Sequence, residues 1–557
     1  MTVSAIDYAV LSQAILAAAR EMGAKLIRSA YSTILREARD GSAAILDRDG
    51  NTVAQAELIP MQLGTIGSVF QACAREYDLD EVGPDDFFVI NDSYSGGQHL
   101  QDVFFFHPIF AGDRRVGFAA SVAHHLDIGG GSPGLSVHAR DVHSEGIIIP
   151  PTKFSMSRDW NGGMLERILR ANVRAPLQTM GDFNAQIAAN RIGAQRIGEM
   201  CERYGAETVE EVMAEFQSYT ERRVRAAIAE APDGVYFGEA VIDDDGIGTT
   251  PVKVTSKVTI EGDRLTVDYT GTDPQVSTNL NAPLAAAISA TMSCVKSALT
   301  SPDIPFNAGL TRSIDVIVPE GSILNPRYPA PVRARMESCY RAFNATMIAL
   351  SQAVPEKVIA NGFDCTTVAC LSWLNDGAYS VYLEIFGGGY GASVAEDGCD
   401  AIDGPMSNCA NTPVEAIDQD YEFFRVEEYA LTPDSFGHGT MRGGTGFVKT
   451  FRILRDGATV ALYADRFTTA PQPLFGGEAG TMGACEIHRG DEVIRLTSKD
   501  MADLEAGDLV VFRLGGGAGY GPAADRPAAL VADDLRNGLI TEDTARAAYP
   551  AQMEALA

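Results

Sequence analysis

A chain of 557 residues, 46% apolar and 21% charged, has the make-up of a globular protein of two to four domains with ample core. Its 44 Lys and Arg against 74 Asp and Glu leave a net charge of −30, which argues against nucleic acid or an anionic membrane as partner. Nine cysteines without a C-x-x-C pair, no positive charge before Arg20 and no run of about 18 apolar residues lead to the expectation of a reduced, cytoplasmic protein.

Residues 5–35 carry Ala, Leu, Ile and Met at three-four spacing and are expected to be helical. From Glu37 to Asn51 the pattern predicts a loop, a strand and an Asp-Gly-Asn turn. Three short strands follow, at Phe87–Ile90, Val103–Phe110 and Val116–Ala123. Residues 160–232 are helix-rich until Ala231-Pro-Asp-Gly234 breaks the period. Strands are expected at Lys253–Ile260, Leu265–Tyr269 and Ser313–Val318, and helices at Ala282–Thr300 and roughly Ser338–Ala353. The chain is then Gly-rich and strand-rich to Gly521, and 525–557 reads as two short amphipathic helices with Thr541 an N-cap. The resulting expectation is an α+β protein of four regions: 1–232, 233–363, 364–524 and 525–557.

Chemistry concentrates between Phe87 and Pro151. Six of the eight histidines lie there (His99, His107, His124, His125, His138, His143), together with Asp92, Asp102, Asp127, Asp141 and Glu145. Clustered imidazoles and carboxylates are the make-up of a metal site suited to Zn, Mn or Fe(II). His99 and Asp102, three apart, follow the loop that leaves the first strand, and His124-His125 closes the third. Adjacent strand residues point to opposite faces, so one of His124 or His125 can join them. His107, His138 and His143 are read as ordinary hydrogen-bonded residues. Asp92 and Glu145 are the acidic candidates for proton transfer on neighbouring loops. No nucleotide motif survives scrutiny: Gly129–Gly134 contains Pro133 and precedes no helical period, Val448 stands where a phosphate loop needs Gly before Lys449, and Gly515–Gly521 departs from G-x-G-x-x-G.

The ordered motifs resemble the hydantoinase B/oxoprolinase family nearly end to end. They are Arg36-Glu37-Ala38-Arg39-Asp40, Asn91–Asp102, Ala123–Gly134, Glu145–Pro151, Asp268–Gly271, Asn281-Ala-Pro283, Asn325-Pro with Pro329–Pro331, Asn411–Glu415, Arg442-Gly-Gly444, Pro473–Gly477 and Gly515–Gly521. Ser93 stands where the family usually has Pro, and Leu135 where it has a small polar residue. The resemblance implies one divalent metal, Zn or Mn, held by Asp40, His99, Asp102 and His124. It also implies an A-type partner subunit that binds ATP and Mg. The expected activity is ATP-dependent ring opening of a hydantoin, oxoproline or lactam, with Glu145 and Asp92 as the catalytic acids or bases and bicarbonate a candidate co-substrate. ATP-dependent ketone carboxylation is the alternative, and a non-catalytic structural partner the third reading.

Overall fold

A computed structural model describes residues 3–557, and their Cα positions cluster into two compact units, 3–235 with 256–335, and 236–255 with 336–557.

The first unit is built on a six-stranded antiparallel sheet in the order β2-β1-β5-β4-β3-β6. Its strands are β1 (Gly41–Asp47), β2 (Thr52–Ala56), β3 (Asp86–Ile90), β4 (Asp102–Ala111), β5 (Arg114–His124) and β6 (Thr152–Ser155). Helices α1 (Ala5–Ser29), α2 (Thr33–Arg36), α3 (Pro60–Leu63) and α4 (Ile66–Glu76) come before β3, and α5 (Met156–Asp159), α6 (Met164–Asn172), α7 (Pro176–Tyr204) and α8 (Ala206–Ala229) after β6. The central strands are mostly apolar on both sides because both faces are covered. Phe88, Phe104, Phe106 and Phe118 pack with Ile66, Val69 and Phe70 of α4 on one face. On the other, Phe87, Val89, Val103 and Phe105 pack with Leu165 and Leu169 of α6 and Phe183 of α7. Each such buried Phe contributes about 1.5–3 kcal/mol. Helix α1 lays Leu11, Ile15, Met22 and Leu26 against β1, β2 and α7. Gly193 of α7 permits that approach, since a Cβ there would lie 2.3 Å from the Met22 sulfur.

The helix expected over 5–35 ends at Ser29, where Ala30 turns to extended backbone, and Ser32 caps the separate α2. β7 (Gly234–Ile242) and β8 (Val252–Glu261) carry the chain out of this unit and back. β8 pairs antiparallel with β9 (Arg264–Asp268), and β10 (Ile314–Ile317) lies parallel to β9. Helices α9 (Leu284–Leu299) and α10 (Ala308–Thr311) join β9 to β10, and α11 (Arg335–Ser351) begins at the last residue of the unit.

The second unit holds two antiparallel sheets. One runs β12-β11-β15-β18, from β11 (Thr367–Asn375), β12 (Ala378–Phe386), β15 (Ala458–Tyr463) and β18 (Lys499–Leu504). The other runs β13-β14-β19-β16-β17, from β13 (Phe424–Leu431), β14 (Phe447–Ile453), β16 (Ala484–Arg489), β17 (Glu492–Leu496) and β19 (Leu509–Leu514). Leu371, Tyr382 and Phe386 of the first share one core with Phe424, Phe451 and Phe512 of the second. The glycine runs of this unit pack backbone on backbone. Gly389 donates to the Gly515 carbonyl at 3.0 Å and Gly517 to Gly444 at 2.9 Å, while a Cβ on Gly389 would sit 1.8 Å from the Gly444 oxygen. Past α12 (Val414–Asp420), the C-terminal tail forms α13 (Ala528–Arg536), α14 (Glu542–Ala548) and α15 (Pro550–Leu556), three helices rather than two, because Pro550 starts a new helix behind Tyr549. Thr541 caps α14 as expected, accepting from the Thr544 N–H. Among the described residues no helix is long and apolar enough to cross a membrane.

Candidate metal centre

Strand pairing assembles the site. β4 and β5 are registered so that Asp102 lies directly opposite His124. β1 pairs on the other side of β5, and the His124 N–H donates to the Asp40 carbonyl at 3.0 Å, which brings the residue before β1 alongside. A tight turn carries His99 over Asp102, whose N–H bonds the His99 carbonyl at 3.1 Å and its Nδ1 at 3.2 Å.

One ligand atom each from His99, Asp102 and His124 falls within 4.8 Å of the others, and all three side chains are buried. Asp40 joins through His124. His124 Nδ1 stands 3.4 Å from Asp40 Oδ2 and 3.7 Å from Asp102 Oδ1, and His99 Nδ1 stands 3.4 Å from Asp102 Oδ2. Ligand atoms about 2.1 Å from a tetrahedral ion are themselves roughly 3.4 Å apart, so the donor set and its spacing fit a divalent cation. His124 Nε2, the other ring nitrogen, is buried with no hydrogen-bond partner, so it is the alternative donor should the ring present that edge to the ion. Burial, then the positive charge of Arg335, holds the His99 imidazole well below its ordinary pKa; burial and Arg333 do the same to His124. Both rings are therefore neutral near pH 7, the form that ligates metals. Burial pushes Asp102 up, against the pull of Arg335 and Arg333.

Four residues that carry no local sequence signal support the cluster. Gln62 Nε2 donates to Asp40 Oδ1 at 2.9 Å and reaches Asp102 Oδ1 at 3.4 Å. Arg335 bonds Asp102 Oδ2 at 2.7 Å and Gln98 Oε1 at 2.8 Å, and Gln98 in turn donates to the Met61 carbonyl. Arg333 bonds the Gly134 carbonyl at 2.7 Å. The separation of 233 residues between Arg335 and Asp102 explains why no spacing could reveal the pair.

His125 faces the other way. Its ring stacks on Phe183 at 3.8 Å, its Nε2 meets Gln186 Oε1 at 3.0 Å, and burial pushes its pKa down to about 4. The two acidic loop candidates are engaged elsewhere. Glu145 accepts the Val332 and Arg333 backbone N–H groups at 2.8–3.1 Å, and burial pushes its carboxyl up to about 8. Asp92 caps the turn Ser93–Ser95, accepting from Tyr94 N–H at 3.0 Å and the Ser95 hydroxyl at 2.7 Å. Neither belongs to the ligand group formed by His99, Asp102 and His124. Of the remaining histidines, burial holds His107 down at about 4, and His143 shares a 2.8 Å hydrogen bond with the Tyr328 hydroxyl.

A mixed α/β, multi-sheet protein with a buried imidazole–carboxylate cluster able to hold a metal ion is thus defined. The profile of the Hydantoinase B/oxoprolinase family matches residues 4–523, and the chain belongs to that family. It is 34% identical to the B-type chain of a putative D-/L-hydantoinase of Pseudomonas sp. (strain NS671), over 95% of this chain and 92% of the relative. It is 30% identical to the beta chain of the caprolactamase of Pseudomonas jessenii, over 98% and 96%. The crystal structure of ATP-dependent caprolactamase from that organism superposes with a TM-score of 0.89 at 27% identity, covering 98% of this chain and 96% of that one. A nucleotide-free acetone carboxylase structure shares the fold, with a TM-score of 0.88 at 19% identity over 98% of this chain and 79% of the other.

Proposed function

We propose that this chain is the B-type subunit of an ATP-dependent cyclic-amide hydrolase, opening a hydantoin, oxoproline or lactam ring with an A-type subunit that binds ATP and Mg. The observation that carries the reading is the buried His99–Asp102–His124 group with Asp40 beside it. Full-length similarity to one chain of a hydantoinase and one chain of a caprolactamase supports ring opening over ketone carboxylation, for which the likeness is one of fold alone.

Asp40, His99, Asp102 and His124 would hold one divalent ion, Zn or Mn. Such an ion supplies Lewis-acid polarisation of an amide carbonyl and lowers the pKa of water beside it. The protein's own part is positional and electrostatic. Neutral imidazoles present lone pairs, Gln62 orients both carboxylates, and Arg335 fixes Asp102 through one oxygen while leaving the other facing His124. On this reading Glu145 is a positioning residue, fastening the backbone that presents Arg333 and Arg335. A proton-carrying role for it, or for Asp92, requires release of the bonds each now accepts.

The test is co-purification with the native A-type subunit, then ATP turnover against a panel of cyclic amides and ketones, with bicarbonate present or withheld. Turnover with a cyclic amide that is lost in His99→Ala, together with metal content lost in the same variant, is the expected result. Turnover only with a ketone and bicarbonate, or full metal occupancy in both His99→Ala and Asp102→Ala, would overturn the assignment.

A further inference from the structure

A cavity of about 360 Å³ lies in the first unit, and none of the proposed metal ligands lines it. Arg75, Ser93, Gly96, Leu284 and Ala285 are on its wall. Arg75, in the last turn of α4, is exposed and makes no ion pair or hydrogen bond among the described residues. Ser93 is 3% exposed, yet its hydroxyl has no hydrogen-bond partner. Leu284 and Ala285 open the 16-residue helix α9, which has no side-chain cap and no acidic residue in its first turn. Its N-terminal N–H groups and the helix dipole favour negative charge there. Arg75 is the one formal charge among the described residues lining the cavity. Pro283, Leu284 and Ile288 give the rest of the wall an apolar surface.

From this convergence of a free guanidinium, a buried unpartnered hydroxyl and an uncapped helix start, we propose that the cavity binds a small organic anion. Its oxyanion head, carboxylate or phosphate, meets Arg75, Ser93 and the start of α9, and its body of a few carbons lies on Pro283, Leu284 and Ile288. The volume suits a ligand of that size. The loop that carries Ser93 runs on to Gln98, and Gly64, two residues after Gln62, also lines the cavity, so the cavity adjoins the supports of the metal cluster.

Titration calorimetry on the full chain tests the site, with hexanoate, its neutral counterpart hexanamide, and inorganic phosphate as probes. Hexanoate is expected to bind saturably and hexanamide at least about tenfold more weakly. Arg75→Gln, a surface change that leaves the fold intact, is expected to weaken hexanoate about tenfold or more, as loss of a charge-assisted bond does. Ser93→Ala should weaken it by a smaller factor. Phosphate binding with the same dependence on Arg75 supports the site and makes its head group a general oxyanion; hexanoate binding alone supports it and restricts the head to carboxylate. Absence of saturable binding by both anions, or affinities unchanged in Arg75→Gln, overturns the proposal. Binding that persists in His99→Ala keeps this result separate from the fate of the metal reading.

Discussion

Gln62→Leu isolates the support of the metal cluster from the cluster itself. Gln62 is buried in α3 and is not among the proposed ligands, yet its amide touches both carboxylates. The bond to Asp40 at 2.9 Å is well formed, while the 3.4 Å approach to Asp102 is at the outer limit of a hydrogen bond. A bond to a charged acceptor contributes about 1.5–3 kcal/mol. Counting the first near the lower end and the second as marginal gives about 2 kcal/mol of lost orientation, or roughly 30-fold in metal affinity. That falls within the 10–100-fold cost typical of removing a group that holds metal ligands in place. Leucine keeps most of the volume, so the fold should survive. Competition with a chromophoric chelator, for Zn and Mn separately, should show one site per chain in both proteins and the weaker affinity in the variant. An affinity within threefold of wild type, with stoichiometry unchanged, would refute the claim that Gln62 orients the ligands.

Stripping the metal with a chelator should lower thermal stability, by about 2.7 kcal/mol where the ion had been at a hundredfold excess over its Kd, and readdition should restore it; a melting curve indifferent to both would count against any resident ion. Burial raises the Glu145 carboxyl to about 8, so between its unfolded value near about 4.3 and 8 the folded chain keeps a proton that the unfolded chain has released. Its contribution is therefore present at low pH and is lost as pH rises through that window. Glu145→Gln should show a flatter stability profile from about pH 5 to about pH 8.5, and parallel profiles would remove Glu145 as the cause. In the second unit, Lys449 Nζ lies 2.7 and 2.9 Å from the two Glu384 oxygens, with both side chains fully buried. Lys449→Met should cost about 3–5 kcal/mol in denaturant unfolding by stranding that carboxylate, and most of the loss should return in the Glu384→Gln/Lys449→Met double variant; a single-variant loss below about 1 kcal/mol would be inconsistent with the pair's burial.

What could be read from the residues follows from how local each cause is. The strands around Phe87–Ala123 were legible because long apolar runs between turns have few alternatives. The pairing of His99 with Asp102 was legible because one turn holds them together. Sequence could say only that one of His124 or His125 enters the site, since alternation forbids both from sharing a face but does not choose between them. Asp40 came from family likeness, and Gln62, Gln98, Arg333 and Arg335 from nothing, because the contacts that bring them to the cluster run between distant parts of the chain. A high glycine content implies tight turns and close backbone approaches alike; which glycines of the second unit let one backbone lie against another depends on partners far away in the chain.

The choice between His124 and His125 shows that the site and the core are one problem. In the β4–β5 pairing, Phe106 faces Ala120, Phe104 faces Val122 and Asp102 faces His124, so the proposed ligands continue the same row that packs against α4. The opposite row, with Val103 and Phe105, packs toward α6 and α7, and His125 follows it onto Phe183. A slip of β5 by one residue would turn every side chain of that strand over, exchanging His124 for His125 and at the same time moving Phe118, Ala120 and Val122 away from Phe104, Phe106 and α4. The aromatic core thus enforces the register that places the imidazole. Enlarging or emptying it at Phe104, two residues from Asp102, should disturb metal affinity even though no atom of Phe104 belongs to the ligand set. Phe104→Ala is expected to cost about 3–5 kcal/mol of stability. If the remaining folded protein bound metal as tightly as wild type, register would have to be set by something other than this core.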